Sequence, residues 1–235
     1  MTKYIKVTLR WLQEFLERNV FGSFLQNMIW KYKHIYQRNW TKTSLESQDM
    51  PHREQLTSVI ASLDNVESAL EVGCAAAPNL RLLRDKLPHA RLAGIDINRQ
   101  AIREASDYFR SINDGDITLL SRKAHELDCF KQKSFDVVFS QAVLVCIPPS
   151  EINKVIKAML RVSDILILNE YHLDGARNGF FDGGRWVYDY TAIIKQHSQD
   201  AVVSMQETVF KGGSWDTYGT LITVTAPLVE TERNQ

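Results

Sequence analysis

Apolar residues between Arg10 and Tyr36 recur in pairs: Trp11/Leu12, Phe15/Leu16, Val20/Phe21, Phe24/Leu25 and Met28/Ile29. That spacing predicts one or two helices with a broad apolar stripe, broken near Gly22. A turn at Gln48, Asp49, Met50 and Pro51 leads into a predicted helix over residues 50–63. The pattern then changes. Short apolar runs at Ser68–Val72, 90–95, 117–120, 135–139 and 164–168 predict strands. Helical stretches at Pro78–Lys86, 99–112 and 150–161 separate most of them, the first opening on a proline suited to a first helical turn. Strands that are apolar throughout and alternate with helices predict a parallel sheet covered on both faces. The rhythm ends after residue 200. Residues 202–210 and 217–225 read as two strands joined through Gly212 and Gly213.

Before residue 49 the chain differs in character from the rest. Residues 1–48 read as an N-terminal helical extension or cap, and residues 49–235 as one domain. Residues 1–42 hold eight Lys or Arg against two Glu. A cap packed on the domain is the first reading of that segment; a surface for a partner, or for peripheral contact with a membrane, is the second. Composition adds that 44% of the 235 residues are hydrophobic and 24% charged, enough for a core. Formal net charge is zero, which argues against nucleic acid as the main partner. Cys74, Cys129 and Cys146 have neither disulfide-framework nor zinc-site spacing, and free thiols suit a reducing cytosol. No run of about eighteen apolar residues is present, and the start of the chain lacks the layout of a secretory signal. The expectation is a cytoplasmic protein without stable membrane insertion.

In an open α/β sheet, ligands bind beyond the carboxyl ends of the strands. The first predicted strand runs into Gly73, Cys74, Ala75, Ala76, Ala77 and Pro78. Small residues there let a ligand approach the backbone, and a helix start offers free N–H groups. The second strand ends in Asp96, placed to accept hydrogen bonds from a ribose diol. Leu70 to Cys74, Ala93 to Asn98 and Ser134 to Gln141 resemble motifs of the class I S-adenosylmethionine-dependent methyltransferases over roughly residues 50–168. The resemblance implies a Rossmann-like, doubly wound α/β sheet, mostly parallel with an antiparallel C-terminal strand, and S-adenosylmethionine as cofactor. It implies that Glu71, Gly73 and Cys74 line the methionine end, with Ala75 also at the cofactor, that Asp96 holds the ribose and that Ile97 packs on adenine. Lys123 would lie at the adenine edge, where the Ala124 N–H would serve adenine. Ser140 and Gln141 would lie beside the sulfonium.

Two departures from that pattern stand out. Ala75 and Ala77 replace glycines, which alanine tolerates only if φ stays negative. Lys123 stands where an acid often meets the adenine amino group. On the acceptor side, His172 follows the fifth strand and is a candidate general base, with a surface-loop histidine as the bland alternative. The stretch from Asp174 to Trp186 is glycine-rich and reads as a long loop, either a lid or a passive connection. Its aromatics and two arginines suit a polar cyclic acceptor with an acidic group. Arg53 is a candidate partner for the cofactor carboxylate. His34, Tyr36 and Trp40 are candidates to close over the site. No metal cluster is evident. The expected activity is methyl transfer to a small-molecule acceptor, an O-methylation of a sugar or natural-product hydroxyl. A non-catalytic scaffold of the same fold is the alternative. An NAD(P)-binding oxidoreductase is a weaker one, because Gly73 stands without the G-x-G-x-x-G pattern.

Overall fold

The computed structural model describes residues 45–182 and 184–226. The apolar stripe and the residues proposed to close over the site, His34, Tyr36 and Trp40, lie outside the described residues. Helix α1 (Pro51–Ala61) precedes strand β1 (Ser68–Val72). Then follow α2 (Pro78–Lys86), β2 (Arg91–Asp96), α3 (Arg99–Ser111) and β3 (Ile117–Ser121). Strand β4 (Val137–Gln141), a 3₁₀ turn at Leu144–Cys146, α4 (Pro149–Val162) and β5 (Ile165–Tyr171) continue the alternation. A ribbon of β6 (Phe180–Asp182) and β7 (Arg185–Val187) leads to α5 (Tyr190–His197). The chain closes with β8 (Val202–Glu207), the short α6 (Trp215–Tyr218) and β9 (Gly219–Thr225).

The main sheet has seven strands in the order β3-β2-β1-β4-β5-β9-β8. Strands β1 to β5 are mutually parallel, and β9 runs antiparallel to both neighbours. The order reverses at β1, where crossovers change direction, so the crevice opens beyond β1 and β4. β1 and β4 are buried along their whole length, the physical reason they read as mostly apolar runs. Alternate strand residues feed two cores. Leu70, Val72, Val138 and Leu168 pack toward α4 and α5. Ala69, Val137, Phe139 and Ile167 pack toward α1, α2 and α3.

Several expectations are corrected. β4 starts two residues later than the predicted run and extends to Gln141. β5 continues to Tyr171, because Asn169, Glu170 and Tyr171 pair with Leu221, Thr220 and Gly219 of β9. The stretch after His172 is not a free loop. Trp186, Val187, Tyr188 and Tyr190 are fully buried, and the Tyr188 hydroxyl donates to the Ile147 carbonyl at 2.6 Å. The glycines point to mobility, but the aromatics between them carry enough apolar area to fold the segment onto the core. Helix α5, capped by the Asp189 carboxylate accepting from the Ala192 N–H at 2.8 Å, has no counterpart among the predicted helices.

Candidate active site

A cavity of about 380 Å³ lies over the carboxyl ends of β1, β2 and β4. Its floor is the turn after β1. The Gly73 and Cys74 N–H groups both donate to the Ile95 carbonyl, at 2.8 and 3.0 Å, and the Ala77 N–H donates to the Cys74 carbonyl at 2.7 Å. The Ala75 N–H donates to Asp96 Oδ2 at 2.8 Å. These bonds wind the turn so tightly that Gly73, Ala75 and Ala77 all have positive φ, at 79°, 49° and 63°. The expectation of negative φ at the two alanines is therefore corrected. Alanine in the left-handed region costs about 1–2 kcal/mol, and such strain is held only where surrounding bonds over-determine the backbone. Gly73 is also required by space: a Cβ there would sit 2.2 Å from Val143 Cγ2.

Of the residues expected at the cofactor, Arg53, Glu71, Gly73, Cys74, Ala75, Asp96, Ile97, Lys123, Ala124 and Gln141 line this cavity. The Cys74 sulfur is packed beneath it, since a Cβ on Gly94 would lie 2.8 Å from Sγ. Ser140 is not part of the lining. Its side chain lies on the opposite face of β4, and its hydroxyl donates to Glu170 Oε1 at 2.9 Å.

A polar cluster spans the end nearest α1. Arg53 Nη1 donates to Asn79 Oδ1 at 2.9 Å, and Asn79 Nδ2 donates to Glu71 Oε1 at 2.7 Å. Arg53 also reaches Gln141 Oε1 at 3.4 Å and the Ser47 hydroxyl at 2.8 Å. Burial pushes the Glu71 carboxyl up to about 8, although the Asn79 amide and the Arg53 charge pull it down. Two buried atoms of this cluster have no hydrogen-bond partner among the described residues, Glu71 Oε2 and Gln141 Nε2. An acceptor and a donor left open at buried positions fit a ligand that carries both an amino and a carboxylate group. At the other end Asp96 accepts from the Asn98 N–H at 2.7 Å, keeping its carboxylate fixed at the tip of β2. Arg122, Lys123 and Ala124 follow the tip of β3 beside it.

His172 does not reach this cavity. Its Nδ1 accepts from the Tyr190 N–H at 3.2 Å, which places the proton of the neutral ring on Nε2, facing Asp174 Oδ1 at 3.0 Å. Neither nitrogen is left to take a proton from an acceptor. His172, Asp174 and Asp189 bring three ligand atoms within 4.8 Å of one another. The same hydrogen bond to Nδ1 removes the lone pair that Nε2 would need to bind a metal.

Two imidazoles line the cavity, His125 beyond the tip of β3 and, in the first turn of α1, His52. It stacks on Phe210 with ring centroids 3.9 Å apart. Burial and the neighbouring Arg53 charge lower its pKa to about 4, so it is neutral at physiological pH. The cues to it in the sequence are its adjacency to Arg53 and its place at a helix start. Asn79 is a second residue that sequence reasoning misses, since nothing local tells it from an ordinary first-turn polar residue.

Residues 69–164 match the family model described as a methyltransferase domain. No curated protein matches the sequence. Solved structures share the fold at low identity. The putative methyltransferase in complex with the Trm112 methyltransferase activator of Haloferax volcanii is 16% identical, with 80% of this chain and 94% of that chain covered and a TM-score of 0.59. The N-terminal domain of EvdMO1, in the presence of SAH and D-fucose, is 14% identical over 75% of this chain and 83% of that chain, with a TM-score of 0.57. The mitomycin 7-O-methyltransferase MmcR is 10% identical over 92% of this chain and 67% of that chain, with a TM-score of 0.63. The first four parallel strands thus coincide with the part of the chain that matches a methyltransferase domain, on a Rossmann-like sheet whose fifth strand is flanked by the antiparallel β9.

Proposed function

We propose that this protein methylates an oxygen of a small-molecule acceptor. The observation that carries the reading is the cavity itself: about 380 Å³, with the stacked rings of Phe210 and His52 in its lining, a size for a cofactor and a compact acceptor. Two structural neighbours are named for small molecules, EvdMO1 with D-fucose and MmcR for mitomycin.

When bound, S-adenosylmethionine supplies a sulfonium methyl group that is already electrophilic. In this reading Glu71 Oε2 receives the cofactor amino group, Arg53 and Gln141 Nε2 meet its carboxylate, and Asp96 accepts from the ribose hydroxyls. Gly73, Cys74 and Ala75 bring backbone close to the methionine moiety, while Ile97, Lys123 and Ala124 border the adenine. What the protein adds is alignment of the acceptor for in-line attack and exclusion of water. Proton removal falls to His52, because His172 has no free nitrogen and His125 follows Lys123 and Ala124 at the adenine end, beside Glu151. A base of such low pKa is weak, so it suits an acceptor hydroxyl that is itself acidic, such as a phenol or enol, better than the alkyl hydroxyl of a sugar.

Calorimetry with S-adenosylmethionine, S-adenosylhomocysteine and NAD tests the first part. Asp96→Ala should cost up to about 3 kcal/mol per hydrogen bond lost to the ribose, and unchanged affinity for S-adenosylhomocysteine would sink the ribose assignment. With a phenolic acceptor in hand, His52→Gln should lower kcat about 10²-fold while His172→Gln should not. The reverse result would restore His172.

A further inference from the structure

We infer that Arg185 forms a subsite for an anionic group, a carboxylate or phosphate, on the methyl acceptor. The inference rests on the cofactor reading above, because that reading decides which part of the cavity is left for the acceptor.

The cavity is divided by strand order. The tips of β2 and β3, with Asp96, Ile97 and Lys123, lie on one side of β1, and β4 and β5 lie on the other. A cofactor spread from Glu71 to Lys123 fills the first side. The remaining space faces the turn after β4 and the ribbon beyond β5, where Cys146, Arg185, Phe210 and His52 contribute to the lining.

Arg185 is the cation on that side. It opens β7, and the ribbon is anchored by Trp186 and Val187, both fully buried. Its guanidinium is thus carried by a rigid element, held at one point by Nη1 against Cys146 Sγ at 3.4 Å. A thiol is a weak acceptor and leaves most of the five guanidinium donors unused. Among the described residues, Arg185 enters no ion pair. Asp182, which pairs with it in the ribbon, has a carboxylate oxygen accepting from the Ser214 hydroxyl at 2.6 Å. The other arginine of the segment, Arg177, does not contribute to the lining. A half-buried, rigidly mounted guanidinium without a carboxylate partner matches the fork geometry of a carboxylate or phosphate. The stacked rings of His52 and Phe210 in the same cavity suit a planar acceptor bearing that group.

The test uses matched probes on the full chain saturated with S-adenosylhomocysteine: phenol, 4-hydroxybenzoate and phenyl phosphate, followed by ligand-observed NMR titration. Wild type should bind one or both acidic probes at least about tenfold more tightly than phenol. Which of the two prevails separates a carboxylate from a phosphate acceptor. Arg185→Gln should bring all three within about twofold of one another, with affinity for S-adenosylhomocysteine unchanged. Arg185→Lys should keep part of the preference, and Arg177→Gln all of it. Absence of an acid preference in wild type overturns the subsite, as does its survival in Arg185→Gln. Failure of S-adenosylhomocysteine itself to bind would instead overturn the cofactor reading, so the two failures are distinguishable.

Discussion

Glu170 of β5 accepts the hydroxyl of Ser140, which lies on the adjacent strand β4, at 2.9 Å. The same carboxylate accepts from the backbone N–H groups of Val143 and Val145, both at 3.1 Å. It is fully buried, and burial pushes it up to about 7 against the pull of these donors. One side chain therefore fixes the turn between β4 and α4, whose residues Val143, Cys146 and Ile147 line the cavity. Glu170→Gln turns an amide N–H toward at least one of those donors, so it should destabilise the protein by about 1–3 kcal/mol. It should also weaken binding of S-adenosylhomocysteine. Thermal denaturation and calorimetry together check this, and an unchanged midpoint would mean the turn is held by something else.

Gly73→Ala should be more damaging than an ordinary surface change. The new Cβ meets Val143 Cγ2 at 2.2 Å, and φ at this residue is +79°. Truncating the partner, in Gly73→Ala/Val143→Ala, removes the two γ-carbon clashes but leaves the residue 143 Cβ at 2.9 Å, together with backbone strain of about 1–2 kcal/mol. The double variant should therefore recover part of the stability lost by the single one, as read from denaturant unfolding. Full recovery would show that φ is unimportant there.

Ala75→Gly should stabilise the fold. Relief of the left-handed conformation is worth about 1–2 kcal/mol, and the added freedom of glycine in the unfolded chain returns about 0.5–1 kcal/mol of that. A net gain of roughly 0.5–1 kcal/mol should appear in urea titrations. A loss of stability would imply that the Ala75 methyl group makes packing contacts worth more than the strain.

Cofactor affinity should depend on pH through Glu71. Its carboxyl is pushed up to about 8 by burial, so below that pH it is protonated in the ligand-free protein. A cofactor ammonium docked on Oε2 favours the ionised form, so binding releases a proton. Affinity for S-adenosylhomocysteine should then rise with pH, by up to about tenfold per unit as pH approaches 8, and flatten above it. Calorimetry in buffers of different ionisation heat should register the released proton at neutral pH. Glu71→Gln should abolish both effects; their persistence would assign the proton to another group.

His52 should make itself felt in acid. Its folded pKa of about 4 lies below the unfolded value of 6.5, so the unfolded chain binds the proton first. Stability should fall as pH drops from about 6.5 toward about 4. His52→Phe should blunt that loss, as followed by melting temperature across the range. Equal acid sensitivity in both proteins would remove His52 from the account.

The alternation of apolar runs and helical stretches is enough to read β1, α2 and the parallel sheet from the chain, because a strand buried on both faces has few polar positions to interrupt it. Strand ends are legible because polar residues interrupt the apolar run where the strand approaches the ligand edge, which is how Glu71, Asp96 and Gln141 stand out. Contacts between distant segments are not legible. Glu170 looks like one of several polar residues closing a strand until the turn carrying Val143 and Val145 is folded against it. His172 looks catalytic by position, and only the approach of Tyr190 and Asp174 assigns both its nitrogens. The φ values of Ala75 and Ala77 contradict local preference because bonds to Ile95 and Asp96, on the neighbouring strand, wind the turn. Sequence determines which residues must leave water and in what period. Which polar atoms then find partners, and which are left open for a ligand, is decided when elements far apart in the chain come within hydrogen-bond distance.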